Sequence, residues 1–160
     1  MADETRTDKP ITLLPWLFPA TYLIHIAEEY WGGGGFSAYV ARARGVDLPP
    51  SRFLLLNGIG LSLMLLGVVL ARRYKFSQWL AVCLGALVLG NGLSHTINGA
   101  VSREYNPGLV SGLLIWIPLG LVTLFYVKRR MAARKYWIAL AIGIGIQIIV
   151  ALLALRGGKL

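Results

Sequence analysis

Four stretches free of Asp, Glu, Lys and Arg, residues 53–71, 77–101, 109–127 and 136–155, set what this chain can fold into. Each is close to the ~20 predominantly apolar residues that carry a helix across a hydrocarbon core about 30 Å thick. Within lipid every backbone N–H and C=O must find a partner inside the protein, and runs of this length do so as helices. A fifth apolar stretch, 11–31, carries Pro15 and Pro19 early and His25, Glu28 and Glu29 late. With 56% hydrophobic residues, 14% charged residues and a mean hydropathy of +0.64, a 160-residue chain has little left for a soluble domain. The expectation is an all-α polytopic transmembrane bundle of about five spans. One membrane domain then covers 11–155, between a cytosolic tail (1–10) and a C-terminal tail (156–160). Residues 32–52 form an interfacial loop with an amphipathic segment.

The net charge of +9 does not point to nucleic acid, because the basic residues sit between the spans. The N-terminus and the turns holding Arg72, Arg73, Lys75, Lys128, Arg129, Arg130, Arg134 and Lys135 share one face in a five-span topology. That face holds ten of the sixteen Lys and Arg residues. The positive-inside rule places it in the cytoplasm and the C-terminus outside. The N-terminus lacks the basic start and cleavage site of a secretory signal. A prokaryotic cytoplasmic membrane is the expected location, with the lipid bilayer as partner. Cys83 is the only cysteine, which excludes an internal disulfide and any thiolate cluster; it reads as an apolar filler.

Orientation gives the polar residues a common depth. The first and third spans run the same way, and both carry their polar groups late: His25, Glu28 and Glu29 on one, Asn91, His95 and Asn98 on the other. Residues three and four apart share a helical face, so each set forms a stripe, and two stripes on apolar helices turn toward each other. Asn57 near the start of the second span, Glu104 before the fourth and Trp116 within it are further substrate-binding candidates. Trp16, Trp31, Trp79, Trp116 and Trp137 read as interface anchors. Gly32–Gly35 is a flexible break, and the segment after it is placed to lie on the outer surface as a lid.

His25-Ile26-Ala27-Glu28-Glu29, the Asn91/His95/Asn98 stripe and Tyr105-Asn106-Pro107-Gly108 together resemble the HXXEE-motif family of small membrane proteins. The resemblance covers most of the chain. It implies where the site lies and leaves its chemistry open.

Ionisable groups within a membrane cost about 2.5–3.5 kcal/mol each even on insertion scales, and they mark functional sites by default. The expected catalytic set is His25, Glu28, Glu29 and His95. Two adjacent carboxylates cannot both ionise easily, so the pair offers an acid and a base to a lipophilic small molecule or lipid. His25 orients the pair or shares its proton, while Asn91 and Asn98 bind substrate or fix His95. Sterol isomerases of the emopamil-binding type look like an analogue, in architecture only.

The alternative is one divalent metal, Fe, Zn or Mn, held by His25, Glu28 or Glu29, and His95, with Glu104 joining if its loop folds back. A dinuclear site would need more ligands than the chain offers. A proton relay in a small carrier, functioning as an oligomer, is a third reading. A structural hydrogen-bond network joining two helices is a fourth. The double glutamate is also similar to that of membrane-embedded prenyl-protein proteases, but Gly33 stands where their arginine would be.

Overall fold

The computed structural model describes residues 13–156. The tail 1–10, the start of the expected first span and residues 157–160 lie outside it. All regular structure in the described part is helical. A 3₁₀ turn, Leu14–Trp16, leads into α1 (Leu17–Trp31), followed by α2 (Phe36–Arg44), α3 (Pro50–Arg73), α4 (Ser77–Ser102), α5 (Leu109–Lys128) and α6 (Ala133–Arg156).

The last four of these are long and apolar enough to cross a membrane. α1 has 15 residues, which gives about 22 Å, and the preceding turn adds about 6 Å. Its two prolines account for the shortness of the regular part. Pro15 sits inside the 3₁₀ turn, and Pro19 in the first turn of α1 has a missing N–H that would have had no helical partner anyway.

α4 is the central helix. It packs against both α5 and α6, and half of its apolar window is buried, against 17% for α3 and for α6. Its buried run Ala81–Ala86 is small enough for close approach. Cys83 lies in this seam and donates its thiol to the Ala139 carbonyl at 3.2 Å, as a filler with a weak donor does. The outer faces of α3 and α6 expose Leu55, Leu63, Leu66, Ile148 and Ile149, which suits contact with lipid tails.

α4 and α5 meet backbone to backbone beside the polar stripe. A Cβ on Gly92 would lie 2.7 Å from the Gly112 carbonyl oxygen, so only glycine permits this spacing. Gly112 opens a π turn through Trp116, in which the Ile117 N–H reaches back five residues to Gly112. Pro118 follows directly. Its ring would crowd the Leu114 carbonyl in a regular helix, and the wider turn relieves that clash.

Candidate functional site

Helical spacing puts His25 and Glu29 on one face of α1, and both are buried. His95 enters from α4. Glu29 Oε1 lies 3.2 Å from His95 Nε2 and 3.6 Å from His25 Nε2. The two imidazoles meet edge-on with centroids 5.1 Å apart. The three residues are 1–6% exposed, so the cluster is closed to bulk solvent.

The turn between α4 and α5 braces this cluster. Asn106, 1% exposed, accepts from His95 Nδ1 on Oδ1 at 3.0 Å and donates Nδ2 to the His95 carbonyl, also at 3.0 Å. Gly108 has φ +92, and a Cβ there would lie 2.8 Å from His95 Cε1 and 2.9 Å from His25 Cε1. That position needs glycine both for its backbone and for the space the two rings occupy. From the first turn of α5, Ser111 Oγ lies 2.7 Å from His25 Nδ1. The π turn then brings Trp116 onto the His25 ring, stacked at 3.7 Å.

The two adjacent glutamates have different surroundings. Glu28 turns toward the start of α5. Its Oε1 accepts from the Tyr105 hydroxyl and the Val110 N–H, each at 2.9 Å, and its Oε2 accepts from the Ser111 N–H at 2.6 Å. The Ser111 hydroxyl also reaches this carboxylate. Glu28 is thus an anionic cap on a helix N-terminus, where orphan N–H groups and the helix dipole favour it. The Tyr105 hydroxyl is pushed up to about 12, first by burial and then by its bond to Glu28, so it remains a donor.

The other expected residues are spread around this core. Asn91 makes a side-chain contact with the His25 ring, and its buried Oδ1 has no partner of good hydrogen-bond geometry. Asn98 accepts from Arg44 at 3.2 Å, tying α2 to α4, and the Phe36 ring lies 5.9 Å from that of His95. α2 therefore covers the cluster, in the place expected of a lid. Asn57 bonds to the Tyr22 hydroxyl at 2.8 Å; Tyr22 stacks on Trp116, which stacks on His25. Glu104 is exposed and does not join the cluster, although Asn106 and Gly108 of the same loop fold back onto it. Trp116 is not an interface anchor: at 1% exposed it is a wall of the His25 pocket, placed there by the π turn.

Asn106, Ser111 and Tyr105 carry interactions that sequence reasoning did not assign. Their signal in the sequence is the Asn106-Pro107-Gly108 turn, a turn-forming triplet directly before an apolar span.

A family model described as a protein of unknown function with HXXEE motif matches residues 16–123. The chain belongs to the HXXEE-motif family. The matched region spans α1 to most of α5 and takes in the His25–Glu29–His95 cluster, the Asn-Pro-Gly turn and the α2 cover. No match was found among curated proteins or solved structures. In this HXXEE-motif chain the motif residues thus divide into His25 and Glu29, which face His95, and Glu28, which caps α5.

Proposed function

We propose that this chain is a membrane-embedded enzyme acting on a lipophilic small molecule or lipid, in a hydrolysis- or isomerisation-type reaction at the His25–Glu29–His95 centre. One observation carries the reading. His25 Nε2 is fully buried, has no hydrogen-bond partner and faces Glu29 at 3.6 Å. Helix-joining networks satisfy their buried groups. Leaving such a nitrogen unmet costs about 1–3 kcal/mol, and here that cost falls beside two further ionisable groups, Glu29 and His95.

The chemistry available is proton transfer. Asn106 occupies His95 Nδ1, so His95 Nε2 and Glu29 share whatever proton lies between them at 3.2 Å. Glu28 has no part in that exchange, because its oxygens are committed to α5. A groove of about 420 Å³, lined by Ile24, Glu28, Tyr105, Val110 and Leu114 among others, runs along α1 and α5 to Ser111, next to His25. Its lining is mostly apolar, as a lipophilic substrate requires.

The test is to reconstitute wild type, Glu29→Gln and His95→Ala in vesicles of total host lipid extract and scan for a mass change. Turnover by wild type alone, with Glu29→Gln at least as stable as wild type, is the expected result. Identical lipid profiles for all three would refute the reading. A proton-coupled carrier is the second reading, favoured by the continuous run of polar groups from Glu28 through Ser111 and His25 to Glu29 and His95. A pH-driven flux abolished in Glu29→Gln would select it.

A further inference from the structure

We infer that this centre binds a single divalent metal ion of the zinc class, with His25 Nε2, His95 Nε2 and Glu29 Oε1 as its three protein ligands. The inference rests on the reading of the cluster as the functional centre and names what it holds.

The tautomers supply the first argument. Asn106 Nδ2 must donate, because its partner is the His95 carbonyl. Its Oδ1 is therefore the atom facing His95 Nδ1, and that nitrogen carries the hydrogen. In the neutral ring the lone pair sits on Nε2.

The same reasoning fixes His25. Glu28 accepts from Tyr105, Val110 and Ser111 N–H groups or hydroxyls, and a carboxylate in that role receives the Ser111 hydroxyl proton as well. The Ser111 oxygen is then free to accept, and the His25 Nδ1–H donates to it at 2.7 Å. His25 Nε2 is again the lone-pair atom.

Two imidazole lone pairs and a carboxylate oxygen thus converge in a buried space. One proton can serve the His95–Glu29 contact, but His25 Nε2 still has no partner. A cation bound by all three removes the deficit at once.

The distances fit. Ligand atoms about 2.0–2.1 Å from a tetrahedral zinc are separated by roughly 3.3 Å. Glu29 Oε1 is 3.2 and 3.6 Å from the two nitrogens, close to that spacing, and the 4.8 Å that bounds the donor atoms of all three residues leaves the two imidazoles to draw in on the ion. Metal-ligating histidines characteristically donate their second N–H to a fixed acceptor. Here Asn106 holds one, and Ser111 backed by Glu28 holds the other.

Two imidazoles and one carboxylate suit Zn, Fe(II) or Mn, and the single thiol is engaged elsewhere, at Ala139. Three protein ligands leave a fourth position open, as catalytic rather than structural zinc requires.

The experiment uses the full chain in detergent, stripped with a chelator and titrated with Zn(II) or Co(II), with elemental analysis of the dialysed product. Wild type should retain one ion per chain and show the intense visible bands of four- or five-coordinate Co(II). His95→Ala and Glu29→Gln should lose the ion. Asn106→Leu should weaken binding about 10–100-fold, and Glu104→Gln should change nothing.

A wild type that retains no ion, or the weak spectrum of six-coordinate Co(II), would overturn the inference whether or not the variants fold. So would His95→Ala and Glu29→Gln binding as tightly as wild type. Lipid turnover by metal-free wild type that Glu29→Gln abolishes would overturn the metal and leave the enzyme reading standing. A bound ion in wild type with turnover unaffected by Glu29→Gln would support the metal and end the enzyme reading.

Discussion

Replacing Glu28 with alanine should damage the fold at one place, the start of α5, where its carboxylate accepts from Val110 and Ser111. The cost follows from what the carboxylate accepts. The Ser111 N–H belongs to a buried residue, and losing a charged acceptor there costs about 1.5–3 kcal/mol. Val110 and Tyr105 are exposed, so water replaces most of what they lose, at about 0.5–1 kcal/mol each. The total is about 2.5–5 kcal/mol, and Glu28→Gln, which keeps one acceptor oxygen, should cost roughly half. Two measurements read this: unfolding of the detergent-solubilised protein by SDS, and amide exchange at residues 110 and 111. At about 1.4 kcal/mol per factor of ten, exchange at those two amides should rise by roughly two to three orders of magnitude. If Glu28→Ala stays within about 0.5 kcal/mol of wild type and exchange at 110 and 111 is unchanged, the capping argument is wrong. Loss of turnover without loss of stability would instead make Glu28 a participant in the chemistry.

Other outcomes test the surroundings. Gly108→Ala should cost about 3–5 kcal/mol in SDS unfolding, combining a φ of +92 with a Cβ pressed onto both histidine rings. Gly34→Ala, with φ +88 and open space around it, should show only the backbone part, about 1 kcal/mol. The Tyr105 hydroxyl has a folded value of about 12 against 10.0 unfolded, so its stabilisation is complete below pH 10 and is lost as pH rises toward 12. The unfolding midpoint of wild type should fall across that window, and that of Tyr105→Phe should fall less. Phe36→Ala should speed modification of His95 by a histidine-selective acylating reagent, since the Phe36 ring covers it. Equal rates would show that α2 does not control access.

The span pattern was readable because apolar length reports directly on membrane crossing. Expected stretches 53–71, 77–101, 109–127 and 136–155 match α3 to α6 within a few residues at each end. The pairing of His25 and Glu29 with His95 was readable too, since helical spacing and a shared direction fix both face and depth. What could not be read was which way each side chain turns within that layer. Glu28 and Glu29 are neighbours in sequence, but about 100° of helical rotation separates them, enough to send one to α5 and the other to the histidines. Asn98 was placed with His95 by spacing, yet it is taken by Arg44, a residue from a surface segment whose docking no periodicity encodes. Trp116 is no anchor because a π turn rotates the helix face that follows it, and this turns the indole inward onto His25.

The Asn-Pro-Gly turn makes the five-residue motif an incomplete signature for a chain of this kind. Asn106 fixes one imidazole, Gly108 leaves room for both, and Ser111 fixes the other. Gly92 lets the helix bearing His95 come close enough. A more discriminating pattern joins His-x-x-Glu-Glu to Gly-x-x-His and, eleven residues after that histidine, to Asn-Pro-Gly-x-x-Ser. A chain with the first two elements but without Asn-Pro-Gly-x-x-Ser would carry the same donor atoms with nothing to choose their tautomers. By the inference above it should bind Zn(II) more weakly, by about 10–100-fold for each lost partner.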